Sequence, residues 1–370
     1  MGNKSKGLLL LGFVYLFSFK GSSQYDSIQV AGIQRSFIVH LPPDYSSKRK
    51  YPLVLNLHGL NSNAYEQLLY SQFNLISDTA PCIVVYPDAI DGKWDFTTNT
   101  DLEFIATLVD TLKSRYTIDQ NLFSTGMSMG AFMTYKIACN LKYKINAIAP
   151  VAGNMTSFLQ NFNCNTQIPV LHIHGTEDPI VSYEGALGIP PVETTLKNWS
   201  SKNGCSGRID SFAIPDINKK DSSFITVYQY KNCQHSNEVL LYKVYGGGHT
   251  WPGAPINLPF GNTNRDIHAS TVIWDFFKKH IQSASTPIQV NYTSNDFTLY
   301  PNPVSSILHI TYNTNQACDQ VEIFDVFGRK LLERKSQPES INISSLNSGM
   351  YFLRIETNQS KYKIIRFQKQ

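Results

Sequence analysis

The stretch Ser124-Thr125-Gly126-Met127-Ser128-Met129-Gly130-Ala131 constrains this chain more than any other. Apolar Leu122-Phe123 leads into it, and a long apolar segment from Phe132 to Leu141 follows. The order is strand, Gly-x-Ser-x-Gly turn, helix, an arrangement that lifts the serine hydroxyl out at the end of a strand. Small residues are needed two places before and after the serine. A side chain at Gly126 or Gly130 would collide with neighbouring backbone, and Ser128 itself must take a strained conformation. The helix that follows aims its free N–H groups and its positive dipole end at the same spot. The competing reading is a serine in an ordinary glycine-rich turn, which the apolar strand before and buried helix after disfavour.

The rest of the first 281 residues repeats that alternation. Gln34 to Leu41 partly alternates apolar and polar residues, as an early strand of a half-buried sheet does. Pro52 to Leu57, Cys82 to Tyr86, Ile145 to Val151 and Ile168 to Ile173 are nearly continuous apolar runs, which marks strands buried on both faces. Leu102 to Arg115 is helical, with Phe104, Ile105, Leu108, Val109 and Leu112 at three- and four-residue steps. Strands at Phe224–Tyr230 and Val239–Tyr245 precede a last amphipathic helix from about Asp266. Buried strands alternating with helices predict a mostly parallel sheet covered by helices on both faces. On such sheets ligands bind at the carboxyl ends of the strands. The polar clusters His58-Gly59, Ser128, Asp178 and His249 all fall there.

Serine is a weak nucleophile at neutral pH and needs a base within hydrogen-bond reach, itself oriented by a carboxylate. His249, in the glycine-rich loop after the last strand, is the expected base. Asp178, in the loop after Ile168–Ile173, is the expected acid, with Asp88 and Asp266 as weaker rivals. The chain order Ser, Asp, His is that of the α/β-hydrolases. Two backbone donors must hold the developing oxyanion. Met129, after the nucleophile, supplies one, and Leu60, in the loop where Gly59 permits close approach, supplies the other. His58 and Trp251 are expected against the substrate. His174, inside the end of a strand, reads as a satisfied core residue.

Lys4 and Lys6 precede a short apolar stretch, Leu8 to Phe19, and then Lys20-Gly21-Ser22-Ser23-Gln24. That pattern predicts an export leader over residues 1–24, with a retained membrane anchor as the alternative. No later segment approaches membrane-spanning length, so the mature chain is expected to lack one. The net charge of +4 is slight for 370 residues, and no dense basic block suggests nucleic acid. None of the six cysteines sits in a Cys-x-x-Cys or Cys/His cluster, so neither structural zinc nor any other metal is expected, and no cofactor. In an oxidising compartment some should pair, while Cys82 reads as a buried thiol.

Together Arg35-x-Phe37, Leu57-His58-Gly59, Tyr86-Pro87-Asp88, Gly126-x-Ser128-x-Gly130, Ala149-Pro150-Val151-Ala152-Gly153, His174-Gly175-Thr176-x-Asp178 and Gly248-His249-Thr250-Trp251-Pro252-Gly253 resemble the secreted polyhydroxybutyrate-depolymerase and feruloyl-esterase family. The resemblance covers residues 28 to 281 and implies a serine esterase with its triad on Ser128, Asp178 and His249. It also implies a Cys205–Cys233 disulfide, with Cys139 and Cys164 as a second pair. The chain departs from many depolymerase-type members at Leu60 and Ala131, where cysteine and glycine are usual. The implied substrates are polymeric or plant-cell-wall esters, or hydroxybutyrate oligomers. A serine peptidase on the same fold and a non-catalytic surface binding protein are the alternatives.

Ser283 to Asp296 is polar, rich in Ser and Thr, and reads as a linker after an esterase domain over residues 25–282. Short alternating strands at Ile307–Tyr312, Val321–Phe324, Ser340–Ile343, Tyr351–Ile355 and Tyr362–Phe367 then predict a small β-sandwich over residues 297–370. Tyr300-Pro301-Asn302-Pro303, Asp325-Val326-Phe327-Gly328-Arg329 and Gly349-Met350-Tyr351 resemble the type IX secretion sorting domain of Bacteroidetes. That resemblance implies export across both membranes by the type IX machinery, delivery to the surface or medium, and removal of the domain. A carbohydrate-binding module is the alternative reading of the same strands.

Overall fold

The computed structural model describes residues 21–156, 164, 166–282, 297–312, 318–325, 329–336, 338–357 and 361–370. Residues 1–20 of the expected leader and the whole of the expected linker lie outside the described residues. The chain divides into two compact units, one ending at Ala284 and one beginning at Ser285.

The first unit is organised on a ten-stranded sheet. In chain order its strands are β1 (Ser22–Val30), β2 (Ile33–Leu41), β3 (Tyr51–Leu57), β4 (Ile83–Pro87), β5 (Ile118–Met127), β6 (Ala147–Val151), β7 (Val170–Gly175), β8 (Ile209–Ala213), β9 (Phe224–Tyr230) and β10 (Val239–Tyr245). They lie in the order β1-β2-β4-β3-β5-β6-β7-β10-β9-β8. The six central strands from β4 to β10 are mutually parallel, and the two strands at each edge run antiparallel. Helices α1 (Ala64–Ser71), α2 (Phe73–Ser77), α3 (Thr100–Arg115), α4 (Met129–Asn140), α5 (Val192–Lys202) and α6 (Ala269–Lys279) cover it.

β3 shows why the central strands read as unbroken apolar runs. Leu53, Leu55 and Leu57 join α3, α4 and α5 in one core, through Leu108, Met133, Ile137 and Trp199. Val54, one residue out of phase, joins Leu68, Phe73, Ile273 and Phe277 of α1, α2 and α6 in the other. The two-residue period of a strand sends alternate side chains into two separate helical layers, so every position must be apolar or satisfied. Asn56 meets that demand by donating to Ser71 Oγ and accepting from Gln67 Nε2.

Two strands escape the sequence pattern. β1 and β8 are the outermost strands, with mostly exposed side chains, so burial imposes no alternation on them. β1 begins at Ser22, inside the residues expected to end the leader, and returns into β2 through Ala31-Gly32, both at positive φ. The last helix starts at Ala269 rather than Asp266, because the Asp266 carboxylate instead accepts the N–H groups of Ile217 and Asn218 at 2.9 and 3.0 Å. Cys139–Cys164 and Cys205–Cys233 are disulfides, while Cys82 is a free, buried thiol.

The second unit has a three-stranded sheet of β11 (Phe297–Tyr300), β12 (Ile307–Tyr312) and β15 (Ser340–Asn342). Its four-stranded sheet is β14 (Lys330–Lys335), β13 (Cys318–Asp325), β16 (Gly349–Thr357) and β17 (Lys361–Lys369), in that spatial order. Leu308, Ile310 and Ile341 of the first meet Val321, Ile323, Leu353 and Ile355 of the second in one core, which is a small antiparallel sandwich. Among the described residues no helix is long and apolar enough to cross a membrane.

Candidate active site

The turn between β5 and α4 is closed by contacts that leave no room for a side chain. A Cβ on Gly130 would stand 2.2 Å from the Leu57 carbonyl oxygen and 2.6 Å from that of His58, and one on Gly126 would stand 2.7 Å from Leu57 O. Ser128 takes φ 54° and ψ −121°, a left-handed conformation unusual for a residue with a Cβ. Its backbone is pinned on both sides. The N–H donates to Val151 O at 3.0 Å, and the carbonyl accepts from Ala131 and Phe132 at 2.9 and 3.2 Å. The strain is held by these bonds, and the hydroxyl faces a cavity of about 670 Å³.

His249 lines the same cavity. It stands in the loop after β10, held by its N–H donating to Phe260 O at 2.8 Å. Its Nδ1 lies 2.8 Å from Asp178 Oδ2, in the loop after β7. The other carboxylate oxygen accepts from the N–H groups of Ile180 and Val181, each at 2.8 Å. Burial pushes the Asp178 carboxyl up, but hydrogen bonds from His174 and His249 outweigh it and hold the group well below the usual carboxylate range. An ionised Asp178 can only accept, so His249 Nδ1 carries the proton and Nε2 is left as the basic nitrogen. The rival carboxylates are engaged elsewhere: Asp88 Oδ1 accepts the Ala64 N–H at the start of α1, and Asp266 holds the 217–218 turn.

Leu60 and Met129 are the residues expected to supply the two oxyanion donors. Leu60 lines the cavity, and a Cβ on Gly59 would come 3.4 Å from Ser128 Cβ, so this backbone passes in van der Waals contact with the serine. Met129 is the first residue of α4 and has no acceptor within its own helix. Neither N–H donates to another backbone group among the described residues.

Two residues expected against the substrate are in the interior instead. His58 is fully buried. Its Nε2 accepts the Ala89 N–H at 3.0 Å, which makes Nδ1 the donor to Gly59 O at 2.7 Å. The imidazole thus fixes the carbonyl of the peptide whose N–H belongs to Leu60, while Trp94 Nε1 donates to His58 O at 2.9 Å. Trp251 is also fully buried, packed in the core beneath α1 and α6, with its backbone N–H donating to Tyr70 Oη at 3.4 Å. Both side chains pack inside the fold, and neither lines the cavity beside Ser128. The apolar cavity wall comes from residues without a motif: Leu69, Leu75, Ile256, Leu258 and Phe260. Of these, Leu69, Ile256 and Phe260 are exposed apolar side chains.

Residues 28–149 match the esterase family, and residues 298–366 match the family described as the secretion system C-terminal sorting domain. A bifunctional acetylxylan esterase/xylanase of Neocallimastix patriciarum is 27% identical over 240 residues, covering 64% of this chain and 34% of that protein. This chain therefore spans about a third of that relative's length. Feruloyl esterase D of Neurospora crassa is 26% identical over 276 residues, covering 70% of this chain and 86% of the relative. Among solved structures, the acetyl xylan esterase from Aspergillus awamori superposes with a TM-score of 0.51 at 16% identity, covering 70% of this chain and 99% of that one. At that identity the superposition speaks for the shared fold.

Proposed function

We propose that this carboxylic ester hydrolase, an esterase-family α/β-hydrolase domain followed by a sorting domain that directs it to secretion or the cell surface, works through an acyl-serine intermediate on Ser128. His249 Nε2 takes the Ser128 proton as Oγ attacks the ester carbonyl, and Asp178 stabilises the imidazolium that results. The tetrahedral oxyanion accepts the N–H groups of Leu60 and Met129, which supply about 10²–10³ of the rate for each donor. His249 returns the proton to the departing alcohol. Water then attacks the acyl carbonyl and gives a proton to the same nitrogen, and the acid leaves as that proton returns to Ser128 Oγ. The observation that carries this reading is the 2.8 Å bond between His249 Nδ1 and Asp178, made beside a cavity that Ser128 and His249 both line.

The acyl group is the finer part of the proposal. A cavity of about 670 Å³ with walls of leucine, isoleucine and phenylalanine exceeds what an acetyl group fills. It suits a bulky aromatic acyl group such as a hydroxycinnamoyl ester of the plant cell wall, in keeping with the feruloyl-esterase relative. Kinetics on methyl ferulate, acetylated xylan and hydroxybutyrate oligomers test it. The expected order of kcat/KM places the aromatic ester first, and a preference for acetylated xylan would overturn the acyl assignment. The sorting domain is proposed to engage the type IX machinery and to be removed on export.

A further inference from the structure

Behind Asp178 a line of buried side chains runs into the sheet, and the acyl-transfer scheme makes no use of it. His172 and His174 lie two residues apart on β7, so both rings leave the same face of the strand and stack at 5.3 Å, within 5° of parallel. His174 Nε2 is 2.8 Å from the Val181 carbonyl oxygen and 3.3 Å from Asp178 Oδ2, the oxygen that His249 also uses. A carbonyl and a carboxylate only accept, so Nε2 carries a proton, and in the tautomer that carries it there alone Nδ1 is an acceptor. His172 Nε2, 3.0 Å from that Nδ1, must donate to it. His172 Nδ1 is then left to accept from the Tyr135 hydroxyl at 2.7 Å. Each link fixes the next, and the whole line is polarised toward Asp178. Burial above all, and then the neighbouring His174, hold His172 well below the ordinary histidine range, in keeping with a ring that donates at one nitrogen and accepts at the other.

We propose that His174 is a positioning residue for the acid–base pair, locked in one tautomer by Tyr135 and His172, and that it pins the Asp178 oxygen shared with His249. The inference rests on Asp178 and His249 acting on Ser128. Oδ1 is held by Ile180 and Val181, while Oδ2 is shared between the 2.8 Å bond to His249 and the 3.3 Å contact with His174 Nε2. Removing His174 takes a positive ring edge away from Oδ2 and leaves more charge on that oxygen to favour a protonated His249.

The test is made in the full chain with His174→Leu, His174→Gln and Ser128→Ala, measuring kcat and KM on a soluble aryl ester across pH. The leucine variant is expected to lose about ten- to a hundredfold in kcat, with KM changed less than about twofold. Its acid limb of kcat/KM is expected to move up by roughly half a pH unit. The glutamine variant, whose amide N–H reaches the place of Nε2, should recover most of both. A merely structural role would lower Tm and leave the limb in place. An unmoved kcat and limb in folded His174→Leu overturns the inference, while an active Ser128→Ala overturns the triad reading instead. Should the leucine variant not fold, nitrogen NMR of His174 in the parent decides. A protonated Nε2 with a bare Nδ1 supports the line, and the opposite tautomer overturns it.

Discussion

The two halves of the site are built by different means. On the nucleophile side, at the ends of β3 and β5, position is set by backbone: a left-handed serine, glycines packed against carbonyls, and peptide N–H groups. On the proposed acid–base side, at the ends of β7 and β10, position is set by hydrogen bonds converging on one carboxylate side chain, from the His249 ring and from the N–H groups of Ile180 and Val181. The first half cannot accept an added methyl group without moving the chain. The second can accept an isosteric change without moving, yet loses its chemistry. The comparison predicts which substitutions couple folding to activity and which separate them.

The largest effects fall on the reacting atoms. Ser128→Ala or His249→Ala should lower kcat by about 10⁴–10⁶ with Tm nearly unchanged, and the double variant should lose little more than either single one. Activity within tenfold of the parent in either would break the account. Asp178→Asn should cost about 10²–10⁴ in kcat while the fold persists, because the amide reverses the tautomer that His249 needs. Gly130→Ala on the other side should lose activity and stability together. Its Cβ would lie 2.2 Å from Leu57 O, and a cost of at least about 2 kcal/mol follows from that overlap. Thermal unfolding of this pair of variants sharpens the contrast, and a stable, inactive Gly130→Ala would contradict it.

The pH profile separates the same two partners. Because Asp178 is held well below the usual carboxylate range, it stays ionised through the whole acid limb. The profile of kcat/KM should therefore show no break near the ordinary aspartate value of about 3.9. A break there would place the carboxylate outside its hydrogen bonds. By linkage, the stability Asp178 contributes is present above its unfolded value and is lost only as pH falls toward its lower folded value.

Much of this was legible in the residues, and the reason differs between the halves. The nucleophile turn has a sequence signature because sterics dictate residue size at Gly126 and Gly130. Asp178 and His249 carry no comparable signature; they were found from chain order and from polar clusters at the ends of apolar strands. The burial of His58 is not legible in the sequence, because a histidine beside glycine at a strand end looks the same whether it faces a cavity or grips the Gly59 carbonyl. The link from Tyr135 through His172 to His174 was invisible, since it joins a helix to a strand 37 residues away. β1 and β8 were missed because exposed edge strands need no apolar alternation.

Smaller effects lie away from the site. Replacing Cys205 and Cys233 by serine opens a bridge across 28 residues and should cost roughly 3 kcal/mol, read as a lower Tm with kcat unchanged. Ending the chain at residue 284 should leave kcat on a soluble ester the same while surface delivery in the native host fails. Normal export of that shortened chain would contradict the sorting role.

The most direct measurement is covalent. The parent protein, treated with a fluorophosphonate and digested, should carry one label, on the peptide containing Ser128, and should lose its esterase activity in proportion to labelling. Labelling should fall away in Ser128→Ala and slow by orders of magnitude in His249→Ala. Label on another serine, or full activity in protein labelled at Ser128, would contradict the account.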